Sequence, residues 1–314
     1  MRHWMSKIAW LAALGLPIHH AASAGPLRDR IMERMAERRA AEGGAGRSAI
    51  TDKGPFPLPA GVQVERDLAY GPDPVQKLDV YRPAHASGAP LILMVHGGGW
   101  RRGDKDFSYG VENKVTHWVG KGYVLVAVNY RMMPQANPVE QADDVARALS
   151  FAQSKAGSWG ADPAKTVLMG HSSGSHLVSL IASDPTIATR QGARPWLGTV
   201  ALDSAAFDVV QIMEGQHFGL YDKAFGSSPD HWREASPKYR LKGRLSAPLL
   251  AVCSSKRGDS CAQARAFAAK AESLGGHVPV LPVDLSHGEI NNRLGLPGAY
   301  TEGVDAFLHS LGLS

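Results

Sequence analysis

From about residue 60 onward, apolar runs of strand length alternate with stretches of helical period, and this alternation constrains the fold more than any other feature of the chain. Residues 62–70 and 77–81 alternate in polarity and read as two edge strands, whereas 90–95 and 123–130 are near-continuous apolar runs, as expected of strands buried on both faces. Helical patterns occupy 109–120 and the alanine-rich stretch 139–154, which starts just after Pro138. A strand at 166–169, a helix at 175–182, strands at 197–202 and 248–252, a helix at 261–274, a strand at 279–283 and a helix at 300–311 follow. This order predicts an α/β domain with a mostly parallel central sheet and helices on both faces. Residues 207–244 break the rhythm: they carry Phe218, Tyr221, Phe225, Trp232 and Tyr239 without a clear period. They read as a cap insertion after the sixth strand, with an ordinary surface excursion as the competing reading.

Ahead of this domain, Arg2 and Lys7 precede an apolar run at 8–18 and then Ala22-Ser23-Ala24. That is the layout of a secretory signal peptide at 1–24 with cleavage near Ala24. The apolar run falls short of the about 20 residues needed to span a bilayer. The expectation is therefore an exported protein, periplasmic or secreted, with no stable membrane anchor. Residues 25–58 read as a basic leader or linker and 59–314 as the folded domain. The net charge of +5 divides accordingly: Arg2 and Lys7 contribute +2, residues 25–50 another +2, and the remainder only +1. A nearly neutral domain removes the main argument for a nucleic-acid partner. Two cysteines cannot build a disulfide framework or a four-thiolate zinc site.

The chemistry is carried by two glycine-rich turns. Val167-Leu168-Met169 leads into Gly170-His171-Ser172-Ser173-Gly174, with a helix following. Between a strand and a helix, G-x-S-x-G describes a sharp turn that exposes a serine hydroxyl at the end of the sheet. Ser172 is the candidate nucleophile, and the backbone N–H of Ser173 can face a developing oxyanion. Directly after the strand that ends at Val95 stands His96-Gly97-Gly98-Gly99-Trp100, where the absence of side chains lets backbone N–H groups approach a ligand.

On these two motifs, together with Asn129-Tyr130-Arg131 and Ala235-Ser236-Pro237, the sequence from about Val62 to the C-terminus resembles the α/β-hydrolase fold. Within that fold it resembles esterases of the hormone-sensitive-lipase and kynurenine-formamidase type. The resemblance implies a serine hydrolase that cleaves carboxylic esters, with Gly98, Gly99 and Ser173 as oxyanion donors and His96 shaping the loop. Trp100 stands where many relatives have Phe or Tyr, which bears on the size of the acyl pocket. The general base must follow a late strand, and His287, in Leu285-Ser286-His287-Gly288-Glu289, meets that requirement. His171, His176, His217 and His231 read as ordinary surface or core histidines. Asp259, between the strand at 248–252 and the helix at 261–274, has the family's position for the triad acid. Asp203 and Asp208, which follow the strand before the cap, are its rivals, and Asp284 reads as structural.

Cys253 and Cys261 bracket Asp259. In an exported protein they can form a disulfide that restrains the acid, the alternative being a buried Cys253 beside a free Cys261. No metal or organic cofactor is implied, since HExxH, paired CxxC, Walker A and GxGxxG patterns are absent. The expected partner is a small-molecule or polymeric ester. Competing readings are an amidase of the arylformamidase kind, against which export argues, and a noncatalytic hydrolase-like binding module. Oligomeric state is not legible in the sequence.

Overall fold

The structure is a computed structural model that describes residues 56–313. The expected signal peptide at 1–24 and nearly all of the leader at 25–58 lie outside the described residues. Eight strands form one sheet: β1 (Val62–Ala69), β2 (Lys77–Pro83), β3 (Ala89–Val95), β4 (Val124–Val128), β5 (Ala161–His171), β6 (Gly198–Leu202), β7 (Leu249–Ser254) and β8 (Val280–Val283). Their order is β1-β2-β4-β3-β5-β6-β7-β8. The β1–β2 and β2–β4 pairs are antiparallel and the rest are parallel. The helices are α1 (Ser108–Lys114), α2 (Pro138–Lys155), α3 (Ser173–Ser183) and α4 (Thr186–Arg190), then α5 (Val209–Glu214), α6 (Gly219–Phe225), α7 (Pro229–Glu234) and α8 (Pro237–Arg240). After β7 come α9 (Ser260–Ser273), α10 (His287–Arg293) and α11 (Ala299–Ser310).

The uninterrupted apolar strands feed two cores, because successive side chains of a strand point to opposite faces. Leu91, Leu93 and Val95 of β3 pack with Val145, Leu149, Leu177 and Phe267 under α2, α3 and α9. Ile92 and Met94 face the other way, onto Trp118, Ile290, Phe307 and Leu308 beneath α1, α10 and α11. Helix α2 starts where the sequence places it: Asn137 accepts from the amides of Val139 and Glu140, and Glu140 reaches back to the Asn137 amide.

One strand departs from expectation. The stretch 77–81 reads as an edge, but β2 lies between β1 and β4, and Leu78, Val80 and Tyr81 are fully buried. Its alternation comes from Asp79, which is itself buried and pairs with Lys105 at 2.9 Å and Arg66 at 3.2 Å. A paired carboxylate inside the sheet leaves the same sequence signature as a solvated face. The cap insertion resolves into α5 to α8, between β6 and β7.

Candidate active site

Strand β5 ends at His171, and the chain turns at once into α3 through Ser172, whose φ of 56° and ψ of −119° lie in a region that side chains rarely adopt. Sterics demand this turn. A Cβ on Gly170 would collide with the Gly174 carbonyl, and one on Gly174 with the carbonyls of Val95 and His96. The loop after β3 packs against the same turn, a Cβ at Gly97 falling 2.8 Å from Ser172 Cβ. Gly98 and Gly99 take φ values of 136° and 61°, and the amides of Gly98, Gly99 and Ser173 have no acceptor among the described residues. Tyr130 holds this loop from behind: its hydroxyl donates to the His96 carbonyl at 3.0 Å and its ring stacks on the His96 imidazole at 4.5 Å. Arg131 is locked next to it by Asp144, through Nη2 at 2.7 Å and Nε at 2.9 Å. Tyr130 therefore braces the glycine-rich loop after β3, with Arg131 anchored beside it.

His287 opens α10, a helix begun by a reciprocal cap between Ser286 and Glu289. Its Nε2 lies 2.9 Å from Ser172 Oγ and its Nδ1 lies 2.5 Å from Asp203 Oδ2. Asp203 follows β6 directly, in a turn with φ of 54°, and its amide donates to Val252 of the neighbouring strand at 2.8 Å. The carboxylate is fully buried. Its Oδ1 accepts from the Ser254 amide at 2.8 Å and from the Ser260 hydroxyl, while Arg257 Nη1 lies 2.8 Å from Oδ2. Burial by itself would raise this carboxyl, but the His287 hydrogen bond, the Arg257 guanidinium and the Ser260 hydroxyl outweigh burial and hold it far below the usual carboxylate range.

Asp259 is therefore not the group that meets the imidazole, which corrects the expectation from sequence. Its side chain is 44% exposed and turns toward Arg257 Nη2 at 3.5 Å. The physical reason lies in strand order. Asp203 leaves the sheet one strand from the nucleophile strand, in a turn that lifts its carboxylate under His287, whereas the loop from Ser255 to Gly258 is long enough to insert Arg257 in front of Asp259. An acidic residue placed immediately after an apolar strand, as in Leu202-Asp203, was the available signal. Asp208 caps α5 and pairs with Lys238 at 2.8 Å, a structural role. Cys253 and Cys261 are joined as a disulfide across the loop that carries Arg257.

Two histidines that read as ordinary prove to be braces. His171 Nε2 donates to the His287 carbonyl at 2.9 Å, with the two rings 4.6 Å apart; burial and the neighbouring imidazole keep it well below the usual histidine range. His176 accepts from the Trp100 indole at 3.2 Å through Nδ1 and donates to the Ala235 carbonyl at 2.6 Å through Nε2. Trp100 itself is buried against Tyr221 and Phe225. It thus ties the oxyanion loop to the cap through α3 and does not act as a wall of an open acyl pocket. Leu220 of α6 reaches to within 3.9 Å of where a Cβ on Gly99 would stand, so the cap overhangs the site.

Residues 78–195 match the family model described as BD-FAE. The chain is similar to a probable isoprenylcysteine alpha-carbonyl methylesterase of Arabidopsis thaliana, 27% identical over 60% of this chain and 47% of that protein. It is also similar to the esterase LipQ of Mycobacterium tuberculosis, 28% identical over 67% of this chain and 53% of that one. The chain thus spans about half the length of these relatives. Among solved structures, esterase B of Lactobacillus rhamnosis superposes with a TM-score of 0.68 at 19% identity, covering 91% of this chain and 95% of that one. Sheet order, elbow and solved neighbours agree that the chain has the α/β-hydrolase fold.

Proposed function

We propose that this chain is a carboxylic ester hydrolase that works through an acyl-enzyme on Ser172. The observation that carries the reading is the continuous line from Ser172 Oγ to His287 to the buried Asp203, with links of 2.9 and 2.5 Å. His287 Nε2 takes the serine proton as Oγ attacks the ester carbonyl carbon. Charge that develops on the carbonyl oxygen meets the uncommitted amides of Gly98, Gly99 and Ser173. Asp203 keeps Nδ1 protonated, so that Nε2 is the basic nitrogen, and stabilises the imidazolium that forms. His287 then protonates the departing alkoxide, and a water deprotonated at the same Nε2 releases the acid. The esterase names of the similar proteins support this class of substrate.

Export belongs to the same proposal: the basic, apolar and small-residue order of residues 1–24 supports a signal peptide, and a Cys253–Cys261 disulfide suits an oxidising compartment. Among the described residues no helix is long and apolar enough to cross a membrane. The test is Ser172→Ala against p-nitrophenyl acetate and butyrate. Turnover should fall to the uncatalysed background and labelling by a fluorophosphonate should disappear, with the melting temperature kept. Hydrolysis that survives in this variant defeats the assignment, and faster cleavage of N-formyl aromatic amines than of esters moves the chain to the amidases.

A further inference from the structure

The loop that keeps Asp259 from the triad puts a cation in its place. Arg257 Nη1 lies 2.8 Å from Asp203 Oδ2 and 2.9 Å from His287 Nδ1, and Nη2 lies 3.5 Å from Asp259. Nδ1 carries a proton in the tautomer that the reaction requires, so Nδ1 and Nη1 are two donors converging on one carboxylate oxygen. The Arg257 side chain is 27% exposed, and the loop that carries it is fixed at several points. The Cys253–Cys261 disulfide closes the loop, the Ser255 amide donates to the Val283 carbonyl at 2.9 Å, and the Lys256 amide donates to Ser254 Oγ at 3.2 Å. The cation is therefore built into the site.

A Ser-His-Asp line ordinarily sets an unmatched negative charge beside the imidazole. Here that charge is matched by Arg257, and the same guanidinium stands against the imidazole edge. When His287 takes a proton, two positive groups face each other across 2.9 Å. A like charge at this range disfavours the charged form of its neighbour. The other ionisable groups around the imidazole do not cancel this effect. From β5, His171 is kept neutral by burial and by His287 itself. From α1, Lys114 donates to the Asn291 carbonyl and side chain of α10, with its pKa lowered to about 7 by burial. Burial raises the phenols of Tyr300 on α11 and Tyr221 on the cap, so both stay neutral. Glu289, on α10 itself, turns back to the Ser286 amide and hydroxyl.

We propose that Arg257 is a positioning residue of the triad: it fixes Asp203 beside the imidazole and, by opposing positive charge on His287, keeps the base free in weakly acidic medium. The inference rests on the ester-hydrolase reading of Ser172, His287 and Asp203. It leaves the serine a proton acceptor under conditions where an unmatched Asp–His pair already holds the proton. The imidazolium, once formed, is also a stronger acid toward the departing alkoxide.

The experiment is kcat/KM of the full-length chain for p-nitrophenyl acetate from pH 4.5 to 9, each variant normalised to its own alkaline plateau. In Arg257→Gln the acid limb should move to higher pH by about one pH unit, a loss of about tenfold at pH 5. Arg257→Lys keeps the charge without the planar fork, so its plateau should fall while its acid limb stays within about 0.3 pH units of the wild type. Asp259→Asn, at a side chain 44% exposed, removes the second counter-charge of Arg257 and should move the limb to lower pH. A merely structural brace would lower the plateau and leave the limb in place. Lys114 is common to all variants, so its own titration cancels. An unmoved limb in Arg257→Gln, equal moves in the Gln and Lys variants, or a limb that stays or rises in Asp259→Asn overturns the proposal. Should Arg257→Gln not fold, the direction in Asp259→Asn decides. Ester hydrolysis that survives in Ser172→Ala overturns the underlying ester-hydrolase reading instead.

Discussion

Asp203→Asn tests the arrangement of the active site most directly. Both carboxylate oxygens of Asp203 face donors: His287 Nδ1 and Arg257 Nη1 on Oδ2, the Ser254 amide and Ser260 hydroxyl on Oδ1. An asparagine amide has one acceptor end and one donor end, so one of these pairs must oppose donor to donor. With the NH2 toward His287, the imidazole exchanges tautomers, Nε2 carries the proton and faces Ser172 as a donor, and the base is lost. With the NH2 toward Ser254, the tautomer survives but a backbone N–H that cannot rotate is left unpaired, at a cost of about 1–3 kcal/mol. Either way the negative charge that stabilises the imidazolium is gone. The loss of rate should be about 10⁴-fold, or roughly 5 kcal/mol of transition-state stabilisation. Asp259→Asn, at a side chain 44% exposed and 3.5 Å from Arg257, should change kcat by less than threefold. The assay is kcat and kcat/KM for p-nitrophenyl acetate at pH 8, with melting temperatures to separate catalysis from folding. A nearly active Asp203→Asn beside an inactive Asp259→Asn would refute the reasoning and return the acid to the loop after β7.

Further predictions concern the braces of the site. Replacing both Cys253 and Cys261 by alanine removes a cross-link between residues eight apart, and the chain-entropy cost of so short a loop puts the loss at about 2–3 kcal/mol in urea unfolding. A several-fold fall in kcat should accompany it, because Ser254, Arg257 and Ser260, which hold Asp203, lie within or beside that loop. An unchanged unfolding midpoint would mean that the cross-link does not restrain the loop. His176 has its pKa lowered to about 4 by burial, below the unfolded value of about 6.5. The unfolded chain therefore binds a proton between those values that the folded chain refuses. Stability from this group is fully present above about pH 6.5 and falls as pH drops toward 4, by roughly 3 kcal/mol in total. Protonation at Nδ1 would set a second donor against the Trp100 indole. His176→Gln should flatten this part of the stability–pH curve, and an unaltered slope would show that the loss arises elsewhere.

The fold was legible because its signals are local or periodic. The apolar runs, the alanine-rich helix after Pro138, and the two glycine-rich turns report backbone conformation through neighbouring residues alone. The alternation at 77–81 misled because polarity in sequence does not say whether a charge meets water or a partner: Asp79 meets Lys105 and Arg66. Ser172 could be recognised from its own turn, and His287 from its place after the last strand.

Asp203 and Asp259 could not be separated that way. Both lie on loops at the C-terminal edge of the sheet, Asp203 opening the loop after β6 and Asp259 closing the loop after β7. What distinguishes them is which loop rises beneath the imidazole and which is taken up by Arg257, a matter of distances between β6, β7 and α10. The roles of His171 and His176 have the same origin, since their partners, the His287 and Ala235 carbonyls, lie 116 and 59 residues away. By itself the amino-acid sequence indicated the strands, the elbow and the candidate nucleophile, because those signals depend on residues a few positions apart. Only the tertiary structure decided which carboxylate completes the triad, because that choice is made by groups that folding alone brings within hydrogen-bond reach.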